Sequence, residues 1–218
     1  MTRAKTAIQS CSDRVATQSR DKADQRKSRI LCAAAHLISR KSYLETTMDE
    51  IAEAAKVSKG GMYYYFPNKS DVLFHILDQA MDDLMNGLEE ELARLPDGPS
   101  RLRRIIERQV DYYADNLAEA QTLLNDRKCL HRERRAAIEE KEQRYFDLVR
   151  AAVAESLSSK TKGHSRQLVN LLTFALFGMC NWIPGWFKPN GAVSIEQLAD
   201  MTFDLYLNGL NRFGDNRG

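Results

Sequence analysis

The chain has 218 residues, of which 32 are Lys or Arg and 30 are Asp or Glu; 43% are hydrophobic and 28% charged. That mix excludes a wholly disordered chain, a collagen and a disulfide scaffold, and at roughly 100–200 residues per domain it allows one domain, or a small one joined to a larger one. The formal charge of +2 hides an asymmetry: residues 1–69 hold 13 Lys+Arg and 7 Asp+Glu, net +6, and residues 70–218 hold 19 and 23, net −4. A basic front on an acidic back points the front at a polyanion, although solvated basic faces are common.

Met1 to Ile30 is polar and charged, without an apolar h-region, so no secretory signal and a cytoplasmic location are expected. Cys11, Cys32, Cys129 and Cys180 are far apart, with no C-x-x-C pair, and are expected as free thiols. Residues 167–187 form an uncharged run of 21, long enough to span a bilayer. Gln167, Asn170, Asn181 and the Pro184-Gly185 break favour a buried helix of a protein that does not enter a membrane.

In chain order, residues 1–23 read as a disordered basic arm. Its Arg3, Lys5, Arg14, Arg20 and Lys22 suit either a solvated tail or a minor-groove contact. With only 11 Gly and 5 Pro, and no sustained period-two alternation, the rest reads as all-α. Helices are expected near 24–40, 47–55, 58–65, 69–94, 100–117, 119–127, 131–158, 165–183 and 194–212. The first buries Ile30, Ala34, Leu37 and Ile38 at helical spacing. Thr47-Met48-Asp49-Glu50 fits a capping box for the second, whose apolar face is Met48, Ile51, Ala52 and Ala55. Ser58 can cap the third, with Met62, Tyr63 and Phe66. Pro67 ends it. Asn68 can cap the fourth, with Asp71 at N3; this reading prevails over the glycosylation triplet Asn68-Lys69-Ser70.

Two short helices joined by Lys56-Val57-Ser58 and packed on a preceding helix form a helix-turn-helix unit. The N-terminal end of the third helix carries Ser58, Lys59, Gly60 and Gly61, which suits close approach to phosphate. Tyr63, Tyr64 and Tyr65 can offer hydroxyls to phosphates and ring faces to thymine methyls or sugars. The competing readings are packing at the helix junction for Tyr63, and solvent-edge tyrosines for Tyr64 and Tyr65.

The run from Thr46 to Lys69, TTMDEIAEAAKVSKGGMYYYFPNK, resembles the N-terminal signature of TetR-family transcriptional regulators, roughly TT-x-x-x-IA-x-x-AGVS-x-GTLY-x-YF-x-x-K. The resemblance implies that Thr46 and Thr47 touch the DNA backbone, that Lys59, Gly60 and Gly61 begin the recognition helix, and that Tyr63 and Tyr64 face the major groove or its edge. It further implies that Tyr65 and Lys69 grip phosphates and that Ile51 and Phe66 are core. The sequence departs from the pattern at Ser42 and Lys56, where glycine is usual, and at Gly61, where a Thr usually adds a hydroxyl contact. The implied organisation is an N-terminal three-helix DNA-binding domain, 24–69, followed by a C-terminal helical ligand-binding and dimerisation domain, 70–218.

Beyond Lys69 there is no H-E-x-x-H, G-x-S-x-G, G-x-G-x-x-G or P-loop. His36, His75, His131 and His164 are scattered, so no catalytic set, metal or cofactor is expected. The helix near 165–183 is apolar nearly all round and must be covered all round. A second copy of the chain supplies part of that cover; a larger monomeric core is the competing reading. The resemblance agrees, because the last two helices of TetR-like proteins usually form a four-helix dimer interface. Leu168, Leu172, Leu176, Leu198, Thr202, Leu205, Tyr206 and Gly209 are expected in it. An isologous dimer reads a near-palindromic double-stranded operator.

The resemblance also implies a small-molecule effector that releases DNA. Aromatic residues at helical spacing offer Tyr112, Tyr113, Tyr145, Phe146, Phe174, Phe177, Asn181 and Trp182 as pocket lining, against a plain core reading for each. The segment FGMCNWIPGWFKPNG, Phe177 to Gly191, followed by Ser194-Ile195-Glu196-Gln197-Leu198-Ala199-Asp200, looks like a TetR subgroup that responds to acyl-CoA thioesters. The basic run Arg127 to Arg135 can receive a phosphate-bearing ligand or form a solvated helix junction. An all-α enzyme and a protein–protein adaptor that keeps the helix-turn-helix as a scaffold stay open as alternatives.

Overall fold

The computed structural model describes residues 22–157, 165–188 and 191–215. The arm expected over 1–23 lies outside them except for its last two residues, which already belong to the first helix. Among the described residues the regular structure is helical, without strands.

The described residues pack as two compact units, the first formed by those up to Ala80 together with Ala118–Ile138. Its helices are α1 (Lys22–Lys41), α2 (Met48–Ala54), α3 (Lys59–Tyr65), the first part of α4 (Lys69–Met85), nearly all of α7 (Leu117–Asp126), a 3-10 turn (Arg127–Cys129) and the start of α8 (Arg132–Ser156). Ile30, Ala34, Ile38, Ile51, Met62, Phe66 and Leu73 are buried here. Leu37 and Met48, expected on the same faces, are half-buried. The capping box forms as expected: the Thr47 hydroxyl accepts from the Glu50 N–H, and the Thr47 N–H donates to the Glu50 carboxylate at 2.9 Å. Ser58 caps α3 and Asn68 caps α4, its Oδ1 accepting from the Asp71 N–H at 2.9 Å. Satisfying these N-terminal N–H groups locally is what lets seven-residue helices start at defined positions.

The second unit takes Met81–Leu117 and Glu139 onward. The helix expected over 69–94 is interrupted. Asn86 ends it and Gly87, at φ 70°, turns the chain into α5 (Leu88–Ala93). The Arg108 guanidinium receives the freed end, donating to the carbonyls of Leu84 at 2.8 Å, Asp83 at 3.1 Å and Asn86. Then come α6 (Gly98–Asp115), the body of α8, α9 (Arg166–Asn181), the short α10 (Ile183–Trp186) and α11 (Ile195–Asp215). α6 is the central helix, burying Leu102, Ile105, Ile106 and Val110. Gly98 at its start lies so close to α8 that an added Cβ would stand 2.5 Å from the backbone of Glu155 and Ser156.

The uncharged run at 167–187 forms α9 and α10. By length and composition it could cross a membrane, but Val169, Leu172, Thr173, Leu176, Cys180 and Ile183 are buried against the rest of the unit. Of the four cysteines expected as free thiols, Cys129 and Cys180 are free, Cys32 is buried in α1 and Cys11 lies outside the described residues.

Candidate nucleic-acid interface and effector core

α2 and α3 meet through a tight turn. Val57 N–H donates to the Ala52 carbonyl at 3.0 Å, and Lys56 takes φ 54°. Lys56 and Ser42, at φ 83°, are the two positive-φ non-glycine residues described. They stand where the family pattern has glycine, so the backbone keeps the family's turns with side chains poorly suited to them.

α3 presents its residues outward in graded fashion. Tyr64 is 82% exposed and Tyr63 44%. Tyr65 is half-buried, its ring edge-on to Tyr64 at 5.2 Å. A Cβ at Gly60 would meet open space, whereas one at Gly61 would come 3.1 Å from the Ser58 hydroxyl, which accepts the Gly61 N–H. The exposure of Tyr63 is at odds with simple packing at the helix junction, while that of Tyr64 suits a groove contact and a solvent-edge tyrosine alike. Lys59 extends to Asp49 of α2, Nζ to Oδ2 at 3.0 Å. That carboxylate raises the Lys59 ammonium's pKa. Thr47 is exposed, but its hydroxyl also donates to Glu50 at 2.8 Å. The Lys41 ammonium beside Glu50, together with the Thr47 contacts, holds that carboxyl down at about 2.

Two expected DNA contacts need correction. Thr46 is 1% exposed and its hydroxyl donates to the Ser42 carbonyl at 2.9 Å, so it closes the α1–α2 loop from inside. Lys69 does not reach outward to phosphate. Its ammonium donates to the carbonyls of Thr46 at 2.7 Å, Tyr43 at 2.8 Å and Leu44 at 3.3 Å, and sits 4.3 Å from the Tyr43 ring centroid. Three donors meet three carbonyls, which uses up the hydrogen-bonding capacity of a lysine. The same loop is held from its other side: Tyr43 N–H donates to the buried carboxylate of Asp126 at 3.3 Å. Burial raises the Asp126 pKa. Sequence reasoning missed Asp126 because its partner is 83 residues away.

In the second unit, part of the expected pocket lining converges. Tyr113 Oη donates to Asn181 Oδ1 at 2.7 Å. Gln109 Nε2 reaches Tyr113 Oη at 2.8 Å and Asn181 Oδ1 at 2.9 Å, and Tyr145 Oη donates to Gln109 Oε1 at 3.2 Å. Burial drives the phenols of Tyr113 and Tyr145 upward and pushes the neighbouring Cys180 thiol to about 12, so the network is neutral. Phe146 and Phe177 stack at 5.9 Å beside it, with the Tyr145 ring edge-on to Phe177 at 5.8 Å. Tyr112 is buried next to Tyr113. Gln109 was missed, although a lone amide inside the α6 stripe of Leu102, Ile105, Ile106 and Tyr113 was a visible signal.

Phe174 and Trp182 lie at the edge of this core, the Phe174 ring 4.9 Å from that of Phe146. They are 61% and 71% exposed, Phe174 on the outer face of α9 and Trp182 at its C-cap. The expected dimer residues divide the other way. Leu172, Leu176, Leu198, Thr202 and Tyr206 are buried within the unit, where the Thr202 hydroxyl is returned to the Leu198 carbonyl and Tyr206 Oη to the Leu172 carbonyl. Leu168 and Gly209 are half-buried. Of the eight, Leu205 is exposed, and it is joined by Leu171, Phe174, Met179, Trp182, Trp186 and Met201. Of the residues expected in an interface, then, Leu205 belongs to the apolar surface that α9 and α11 leave bare, and the buried ones pack inside the unit.

The fold and site define a helix-turn-helix protein with a separate helical unit around a neutral polar core. Residues 96–210 match the family described as tetracyclin repressor-like, C-terminal domain, and residues 30–76 match bacterial regulatory proteins, tetR family. The chain belongs to the TetR family of bacterial regulatory proteins. It is 32% identical over 103 residues to the transcriptional regulator EthR of Mycolicibacterium smegmatis, a match over 47% of this chain and 48% of that protein. The chain thus spans about half the length of this curated relative. A TetR-family regulator from Bordetella parapertussis superposes with TM-score 0.78 at 28% identity, over 84% of this chain and 94% of that one. AibR, in a complex with isovaleryl coenzyme A and operator DNA, superposes with TM-score 0.71 at 28% identity, over 83% and 97%.

Proposed function

We propose that the chain is a transcriptional repressor, working in the cytoplasm, that binds a near-palindromic operator as a homodimer and lets go when an effector with an apolar acyl group, an acyl-CoA thioester, is bound. The observation that carries this reading is α3, capped by Ser58 and anchored through buried Met62, with Tyr63 and Tyr64 projecting from it into solvent. A short helix fixed on its inner side and bare on its outer side has the form that enters a major groove. In this reading 24–69 is the DNA-binding domain, contacting DNA through Thr47, Ser58, Gly60, Gly61, Tyr63, Tyr64 and Tyr65, with Lys59 beside the duplex but paired to Asp49. Residues 70–218 bind effector and partner.

Self-association is supported by the apolar side chains that α9 and α11 leave exposed, Leu171, Phe174, Met201 and Leu205 among them, since clustered exposed apolar residues mark interaction surfaces. The effector core would be Tyr112, Tyr113, Tyr145, Phe146, Phe177 and Asn181, with Gln109. Aromatic walls beside a neutral polar network suit an acyl chain with a carbonyl. That AibR was crystallised with an acyl-CoA and operator supports the pairing of the two ligands. Effector binding then shifts the population toward an arrangement in which the two α3 helices no longer match successive grooves.

The test is the affinity for a duplex enriched from a random pool by the protein itself, measured with and without isovaleryl-CoA and longer acyl-CoAs. Release by at least one acyl-CoA is expected. Equal affinity throughout would dismiss that effector class, and failure to enrich any duplex would dismiss the regulator.

A further inference from the structure

The DNA-facing side of α2 and α3 carries carboxylates as well as cations. Lys59, the first residue of α3, has its ammonium 3.0 Å from Asp49 Oδ2, and both side chains are largely exposed. One residue on, Glu50 takes Lys41 at 2.5 Å as well as the Thr47 contacts. The first turn of α2 therefore holds two lysines of the helix-turn-helix, and Asp49 is the carboxylate that reaches α3. Asp49 also satisfies the positive end of α2, but Glu50 already does so through the capping box.

We propose that Asp49 is a specificity-determining residue: by holding the Lys59 ammonium it withholds one cation from sequence-independent phosphate binding, so that recognition depends on what Tyr63, Tyr64 and the glycine-bearing start of α3 can read. The inference rests on the DNA-binding reading above. Sequence-independent affinity for DNA comes from cations that neutralise phosphates and release the counterions condensed there. A lysine with a carboxylate at 3.0 Å brings no net charge to the duplex. Exchanging Asp49 for a phosphate leaves the carboxylate to attract a cation of its own, so no counterion is gained. The penalty applies to every sequence alike. Base-edge contacts are untouched, and the ratio of operator to random binding rises.

The experiment measures affinity for a random-sequence duplex across a salt series, with wild type, Asp49→Asn, Lys59→Ala and the double variant. For Asp49→Asn, binding about tenfold tighter near 0.1 M salt and a log–log slope steeper by about 0.9 are expected. Lys59→Ala alone leaves the slope near wild type, and the double variant returns to it. Affinity for a duplex enriched by the wild-type protein rises less than affinity for the random one. Glu53→Gln, an equal charge change one turn further along α2, serves as the control and is expected to give the smaller effect in either Lys59 background. Thermal unfolding of each variant separates misfolding from binding. A gain in Asp49→Asn that persists without Lys59, or equals that of Glu53→Gln, overturns the proposal as general repulsion; no gain overturns it outright. In both cases wild-type binding to the duplex leaves the regulator reading standing.

Discussion

The helix-turn-helix and the α9–α11 pair obey different logics. In the first, the determinants are close in sequence: Thr47 with Glu50, Ser58 with Gly61, Asn68 with Asp71. In the second, two helices with apolar residues on several sides are sorted into inner and outer faces by what packs against them. Leu172 and Leu176 go in, Leu171 and Phe174 go out, and nothing in the residue types distinguishes them. Short-range hydrogen bonds specify a residue, whereas apolar burial specifies only that something must be covered.

The sharpest way to break this contrast is a matched pair on α9. Leu176→Ala removes a fully buried side chain and is expected to lower unfolding free energy by about 2–5 kcal/mol in a denaturant titration. Leu171→Ala should leave the titration nearly unchanged and instead weaken self-association in sedimentation. Equal destabilisation by both would mean that the inner and outer faces are misassigned. Next in size is Gly98→Ala, which should destabilise by about 3 kcal/mol because the new Cβ meets the α8 backbone rather than a side chain that can move.

Lys69→Ala tests the polar side of the comparison. Loss of the ammonium's bonds to three carbonyls should reduce stability by about 1.5–3 kcal/mol, while the salt slope of DNA binding stays at the wild-type value. A shallower slope with unchanged stability would restore the phosphate role. Lys56→Gly should stabilise by about 1 kcal/mol, since it relieves a left-handed conformation at φ 54°. The smallest effect is in acid. Glu50 has its folded pKa lowered from 4.5 to about 2, so the contribution of its contacts is complete above pH 4.5 and fades as pH falls toward 2. The Glu50 carboxyl carbon should accordingly titrate well below the other exposed glutamates by NMR.

The limits of legibility show at particular residues. Ser42 and Lys56 could be picked out in the sequence as departures from a glycine pattern, and both have positive φ. Thr46 and Lys69 could not be read correctly, because a hydroxyl or ammonium that suits a phosphate suits a backbone carbonyl equally well. Asn181, Tyr113 and Tyr145 were visible as candidates, and Gln109 stood out as an amide in an apolar stripe, but that it joins them follows only when α6, α8 and α9 are brought together.

By itself the order of amino acids determined the helical class, the caps, the turn and the membership of a regulator family, because each depends on groups within a few positions of one another or on a run of consecutive letters. What Lys69 and Lys59 pair with, which face of α9 stays bare and how four polar side chains share their protons were decided by tertiary structure. Those outcomes depend on partners tens of residues distant, and a side chain's chemistry does not name its partner.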